Sequence, residues 1–486
     1  MHVASDANTR SPQTLRELVN LLLSCIARFP PYRVFLVLGG INAILLTFLT
    51  PPFQIHDEFQ HFFRSYQLTQ GDILGDVRDG QTGGVLPSSL IEFVKQDWGT
   101  LRVWHVPPLG EHPLTKTWRE FDRPLAPQKQ QFVAFLTPIY SPLLYLPQTF
   151  GIALGRLFGL SPLALMYLGR LCNALAAVGV MTLALRLLPV GRAAALAVAL
   201  LPMSQFEYGS VAPDAMIIAC AFLYTAIVLR ASLQRTWRMS DIVLAAAAAA
   251  VVCSVKIVYA PLLAIGVPSL LSSRHAAGDH AKRRLLLAAN LGVAVVALGS
   301  AAVWLHLTSH TMPSLLTPAR RASEITLILT HPIRFTATLL ADVWINGLRY
   351  IIDSIGVFGA WTVFLPPYVY EVGLLSVLLS WCVVRNDDAR LGRGAIVWGV
   401  LMWVGVVALI QTAMFILNTP TGEWTIDGVG GRYFLPIGAL ASALITSVTG
   451  RLRSEQSALC YAILLPMITF DTVAMDVTIV QRFHLF

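Results

Sequence analysis

Eleven stretches of this chain are apolar at lengths that suit a lipid bilayer: 33–50, 163–188, 193–206, 213–230, 240–254, 257–272, 285–306, 368–384, 395–417, 434–449 and 457–475, the third and fifth being short. Roughly 20 apolar residues in a helix cross a hydrocarbon core, and Pro or Gly inside such a run is tolerated there. With 55% hydrophobic and 13% charged residues among 486, too little polar surface exists to clothe a soluble globule. The expected fold class is an all-α membrane protein, a polytopic bundle of about eleven transmembrane helices. Membrane lipids are its expected surroundings.

The net charge of +8 does not indicate a nucleic-acid partner, because the basic residues sit in short loops between apolar runs. They read instead as topology signals. With the N-terminus inside, the expected cytoplasmic segments hold 18 of the 35 Lys and Arg, while the short loops 207–212 and 418–433 contain only Arg432. That asymmetry follows the positive-inside rule. An odd number of spans puts the C-terminus outside. Residues 51–137 form a large first extracytoplasmic loop with ten acids, and 307–367 forms a second outer segment with further helices, carrying Asp342, Trp344, Arg349 and Asp353. Residues 1–32 read as a cytoplasmic amphipathic segment and 33–486 as the membrane domain. The six cysteines show no CxxC spacing, and no GxxxxGK[ST] motif is present, so neither a thiolate metal site nor nucleotide-driven transport by this chain is expected.

Thr50-Pro51-Pro52 ends the first run, and a second helix follows in which Phe59, Phe62, Phe63 and Tyr66 recur at helical spacing. They predict an apolar face against the membrane surface or neighbouring spans. Asp57, His61 and Arg64 fall on another face. Asp57 and Glu58, with His61 one turn on, can supply a general base, and Glu58 with His61 can ligate a divalent cation such as Mg or Mn. The same pattern also suits an acidic helix start that complements the helix dipole.

The stretch from Pro51 to Gly71, the segment Thr137-Pro138-Ile139-Tyr140-Ser141-Pro142-Leu143-Leu144-Tyr145-Leu146-Pro147-Gln148, the segments Leu201-Pro202-Met203 and Ser210-Val211-Ala212-Pro213-Asp214-Ala215, and Gly430-Gly431-Arg432-Tyr433-Phe434-Leu435-Pro436 together carry a resemblance. In these four ordered motifs the chain resembles a bacterial membrane-protein family of unknown function that is grouped with the GT-C glycosyltransferases. The resemblance implies a GT-C-like bundle, an acidic residue just after the first span, which Asp57 matches with Glu58 beside it, and interfacial helices in the first outer loop. It also implies a lipid-phosphate-linked sugar as donor, with inversion at the anomeric carbon. His56 departs from the family pattern, in which Pro precedes the acid.

Other residues stand where apolar runs begin or end. Asp214, after Pro213, is either a helix cap or a second carboxylate aimed at the outer cavity. Lys256 separates two runs, and a lone ammonium at that depth is costly: a lipid phosphate, a neighbouring carboxylate or simple snorkelling would each account for it. Arg432, beside Tyr433 and after two glycines, suits bidentate phosphate binding or an interfacial anchor. His105, Glu111 and His112 are too scattered to form a site, and Trp98, Trp104 and Trp118 suit sugar stacking or the interface.

The expected activity is transfer of a sugar from a polyprenyl-phosphate donor to a cell-envelope glycan or glycolipid at the outer leaflet of a bacterial plasma membrane. Asp57 and Glu58 are the expected catalytic acids, Lys256 and Arg432 the donor-phosphate ligands, and His61, Arg64, Asp214 and Tyr433 the substrate contacts. A transporter or flippase of a lipid-linked glycan, or a non-catalytic assembly partner, are the alternatives. Arg170, in mid-span, is a packing or cavity residue.

Overall fold

The computed structural model describes residues 29–97, 119–254, 256–268, 280–309, 311, 318–359, 361, 363–383, 388–420, 422–449 and 454–485. The amphipathic segment up to residue 28, Trp98, Trp104, His105, Glu111, His112, Trp118 and the loop 269–279 lie outside the described residues.

Helix α1 (Pro31–Leu49) starts with Pro at its first position and stops before Pro51-Pro52, which can neither donate to the preceding turn nor continue it. Helix α2 (Glu58–Thr69) follows. The first loop then departs from the all-helical expectation: β1 (Asp76–Arg78), β2 (Gln81–Pro87), α3 (Ser88–Asp97) and β3 (Gln130–Ala134) build a small antiparallel sheet with β2 in the middle. Gly83 makes it possible, since a Cβ there would lie 2.0 Å from the Val133 carbonyl oxygen. Strands this short carry little periodicity, which is why the sequence does not announce them.

The chain continues through α4 (Leu146–Leu157), α5 (Pro162–Leu187), α6 (Arg192–Ala199), α7 (Pro202–Tyr208), α8 (Asp214–Gln234) and α9 (Met239–Cys253). A 3₁₀ segment, Ile257–Ala264, leads towards α10 (His280–Leu307), α11 (Pro318–Thr330) and α12 (Pro332–Gly356). A two-stranded hairpin, β4 (Val357–Phe358) and β5 (Val363–Phe364), precedes α13 (Pro367–Ser380) and α14 (Arg393–Asn418). A second 3₁₀ segment, Gly431–Ile437, runs into α15 (Gly438–Val448), and α16 (Ser454–Val480) closes the bundle.

Among the described residues seven helical stretches are long and apolar enough to cross a membrane, and α9 and α13 are shorter apolar helices. Two expected spans are not continuous helices. The run 193–206 breaks at Leu201-Pro202 into α6 and α7, because Pro202 opens a new helix. In 257–272, Pro261 sits inside a tight 3₁₀ segment. The carbonyls released there are recaptured: Leu263 accepts from the Tyr224 hydroxyl and Ala264 from the Trp398 indole N–H.

Helix α8 is the axle of the bundle, its apolar stretch 83% buried, against 22% for α10 and α14, whose exposed apolar surfaces suit lipid. A second apolar core lies under the loop. There Phe59, Phe62, Phe63 and Tyr66 of α2 pack with Phe53, Leu90, Phe93, Phe135 and the start of α5, so the aromatic stripe expected on the membrane surface or spans is buried against the loop's own elements as well as a span.

Helix α12 inverts the soluble pattern. Ile333, Leu340, Trp344 and Leu348 are exposed, Trp344 at 90%, while Asp342 and Asp353 are buried. Asp342 accepts from Asn346 Nδ2 at 2.8 Å, the Tyr350 hydroxyl at 2.6 Å, Gln411 Nε2 at 2.9 Å and the Ile426 N–H at 2.9 Å. One carboxylate thereby ties α12, α14 and the 419–430 loop together.

Candidate functional site

The start of α2 is fixed by an arginine from another helix. Pro51 and Pro52 have no N–H, and the carbonyls that end α1 would lack donors. Arg170, fully buried in α5, supplies them: it donates to the Thr47, Thr50 and Pro51 carbonyls at 3.1, 2.6 and 3.0 Å. Its remaining N–H groups hold Glu58, Nε to Oε1 at 2.8 Å and Nη2 to Oε2 at 2.6 Å. Glu58 also accepts from the backbone N–H groups of Phe53 at 3.1 Å and Val211 at 3.2 Å. Both oxygens are taken and the side chain is fully buried, so Glu58 anchors the turn and has no lone pair left for a substrate or a metal.

Asp57 has the opposite surroundings. It adopts φ +58°, in the left-handed region that Asp tolerates better than most residues, and Phe53, four residues earlier in the same turn, adopts φ +64°. Such backbone persists only where the surroundings impose it. The Asp57 carboxylate is 36% exposed, lies 3.3 Å from His56 Nε2 and accepts from Gln60 Nε2 at 3.1 Å. Burial, followed by the nearby Arg432 charge, holds His56 down at about 4, so its ring is neutral at pH 7.

Facing this turn are residues from three distant segments. Pro213 and not Asp214 is the N-cap of α8; Asp214 is the first residue of the helix, and its Oδ1 lies 2.5 Å from Lys256 Nζ. Lys256 therefore has a neighbouring carboxylate as its partner. Arg432 Nη1 lies 3.6 Å from Glu207 Oε1. The Tyr433 ring receives both cations, Lys256 Nζ at 4.8 Å and the Arg432 guanidinium at 5.4 Å from its centroid. Its carbonyl accepts from the Tyr259 hydroxyl at 2.9 Å. Gly431 is required by close approach, since a Cβ there would lie 2.2 Å from the Ser354 backbone nitrogen at the end of α12.

Two expected substrate contacts belong to the supporting frame. Arg64 is fully buried and donates to Gln67 Oε1 at 2.8 Å and the Ile73 carbonyl at 2.7 Å, where it fastens the loop after α2. His61 Nδ1 pairs with the Tyr145 hydroxyl at 2.8 Å, and its ring stacks on Tyr140. Burial pushes His61 down to about 4. The pair expected to hold a divalent cation does not fit one, because Glu58 is saturated and His61 alone, with only its Nε2 left, makes no site. Among the described residues no group of three or more His, Cys, Asp or Glu could hold a metal ion.

Four further residues complete the cluster: His56 and Asp353, which the sequence marks without assigning them to a site, and Glu207 and Trp361. With Gly430, Gly431 and Arg432 they line a cavity of about 20 Å³. Trp361, at φ +58° in the β4–β5 hairpin, sets its ring 5.0 Å from that of His56. Burial, followed by the Asp214 charge, pushes Glu207 up to about 7, and burial raises Asp353.

Residues 41–441 match the family described as "Predicted membrane protein (DUF2142)". The chain belongs to that family. The DUF2142 match takes in every residue of the cluster, from His56 to Tyr433, and most of the bundle around it. No curated protein and no solved structure matches the chain.

Proposed function

We propose that this DUF2142 protein is a GT-C-type glycosyltransferase, moving a sugar from a polyprenyl-phosphate donor to a hydroxyl of an envelope glycan or glycolipid on the extracytoplasmic side of a bacterial plasma membrane. The observation that carries the reading is the gathering around His56: the partly exposed, strained Asp57 carboxylate lies 3.3 Å from its ring, and Arg432, which lines the same cavity, shares the Tyr433 ring with Lys256. Asp57 accepts the proton of the acceptor hydroxyl as its oxygen bonds to the anomeric carbon. The bond from that carbon to the phosphate oxygen breaks, and its electron pair leaves on the phosphate. Lys256 and Arg432 stabilise the charge gathering there, which matters most in a site shielded from water. Asp214 and Glu207 hold the two cations until the phosphate takes their place, and Tyr433 fixes their spacing. The positive-inside asymmetry supports an external site, where lipid-linked sugars rather than cytosolic nucleotide sugars are at hand.

The transporter reading draws on one observation, a carboxylate in mid-helix: Asp471 of α16 is 2% exposed. One experiment separates the two. Purified protein in nanodiscs is expected to consume a polyprenyl-phosphate hexose in the presence of envelope acceptor and to ignore nucleotide sugars. Turnover of a nucleotide sugar without carrier lipid, or movement of the lipid-linked sugar across the bilayer with no transfer, would overturn the proposal.

A further inference from the structure

The cavity beside Arg432 contains a carboxylate that the transfer scheme leaves half used. Glu207 is 1% exposed, its Oε1 faces Arg432 at 3.6 Å, beyond hydrogen-bond length, and its Oε2 has no partner. A buried carboxylate oxygen left bare is costly, and a native structure keeps one where something else is to bind. At about 20 Å³, the space it lines holds one water or one alcohol group and not a second charged substituent.

We propose that this cavity is a hydroxyl subsite: one alcohol of the transferred sugar enters it, donates its proton to Glu207 Oε2 and accepts from Arg432, while the ring lies against Trp361. The inference rests on the glycosyltransferase reading and names its substrate as a neutral sugar.

Chemistry selects the group. A hydroxyl, like a water, is both donor and acceptor, so of a sugar's substituents it is the small one that satisfies a carboxylate and a guanidinium facing one small space. A carboxylate on the sugar would meet Glu207 and Asp353, two acids in the same lining, and an ammonium would meet Arg432. The walls suit a sugar's apolar face. Phe206 and Phe358 stack with ring centroids 4.1 Å apart, and the Trp361 ring stands between His56 and Gly430, whose missing side chain leaves the indole 3.7 Å from where a Cβ would be. Trp361 holds a left-handed backbone conformation that glycine would adopt more easily, as expected where a side chain is kept for its contact.

The test is binding to the full-length protein in nanodiscs, measured calorimetrically with short-chain polyprenyl phosphate alone, its glucose, mannose and galactose monoesters, their monodeoxy forms and the glucuronate ester. A neutral hexose ester is expected to bind more tightly than the bare lipid phosphate. Loss of one particular hydroxyl is expected to weaken it at least about 10-fold, and the glucuronate ester is expected to bind worse than its parent. In Glu207→Ala, checked for folding by its melting curve, the parent and that monodeoxy form are expected to bind alike. If the wild type binds lipid phosphate but treats all monodeoxy forms and the uronate as it treats the parent, the subsite is wrong and the donor reading stands. If the bare lipid phosphate is not bound, the donor reading fails and takes the subsite with it. The panel on the wild type needs no variant, so a poorly folded Glu207→Ala leaves the test intact.

Discussion

Asp57 and Glu58 are neighbours of the same chemistry held in opposite ways. Glu58 is fully buried and receives four N–H groups, two from Arg170 and two from backbone. Asp57, one residue earlier, has a strained backbone, a partly exposed carboxylate and a weak pairing with a neutral histidine. The contrast extends to the other charges. Arg170 and Arg64 are buried among carbonyl and carboxylate acceptors, whereas Lys256 and Arg432 each touch a single carboxylate and an aromatic face. Glu58 and Arg170, buried and matched to each other and to backbone, build the frame. Lys256 and Arg432 keep hydrogen-bonding capacity with which to receive a ligand.

The strongest attempt to break this contrast is Asp57→Asn, which keeps size and shape but cannot take a proton at neutral pH. Donor turnover is expected to fall about 100- to 10,000-fold, the usual cost of losing a general base, with melting temperature and membrane insertion near normal. Turnover within a factor of a few of wild type would refute the role. Glu58→Gln should fail differently. Every group around Glu58 is a donor, so an amide nitrogen there meets donors and leaves Arg170 buried without a countercharge, at about 3–5 kcal/mol of stability. The measurement is thermal or denaturant unfolding in detergent. A stable Glu58→Gln protein that lost only turnover would exchange the roles assigned to the two acids.

A smaller effect sharpens the same contrast through pH. His61 is held down at about 4, against 6.5 for an ordinary imidazole. Between those values the unfolded chain takes up a proton that the folded one refuses, so this stability is present above about pH 6.5 and is lost as pH falls toward 4. The loss reaches up to ~3 kcal/mol. His56 acts with the same sign, and Glu207, held up at about 7, acts with the opposite one. The informative comparison is the fall in melting temperature from pH 7 to pH 5, expected to be larger in wild type than in His61→Gln. Equal falls would mean that His61 is not the buried neutral group described.

Much of the bundle is legible in the sequence because apolar length is a direct signal. The runs 33–50, 163–188, 213–230, 285–306, 395–417 and 457–475 all appear as long helices. Apolarity reports partition into lipid and not continuity of a helix, so 193–206 and 257–272 read as spans although Pro202 and Pro261 interrupt them. The sheet of the first loop is illegible for another reason: three to seven residues per strand, with Gly83 and Gly84 in the central one, give no alternation to detect. At the site, Asp57, Asp214, Lys256 and Arg432 stand out as charges at the margins of apolar runs. Whether such a charge is framework or site depends on partners far away in the chain. Arg170 meets Glu58 across 112 residues, and nothing near either one reveals it. Glu207, Asp353 and Trp361 join the cluster only through the packing of α7 and α12 and the hairpin after α12.

The Asp342 junction sets the unit in which this site can be exchanged. Its four donors come from α12, from Gln411 of α14 and from Ile426 in the loop that leads to Gly430, Gly431 and Arg432. The α12 terminus then touches Gly431 directly, through the Ser354 hydroxyl to the Gly431 carbonyl at 2.9 Å. A chimera that imports only 419–433 from a relative therefore brings an arginine without its leash, and 342–356 must travel with 411–433 if the guanidinium is to arrive in place. In recombination, the phosphate-facing half of the site behaves as one cassette made of two separate stretches of chain.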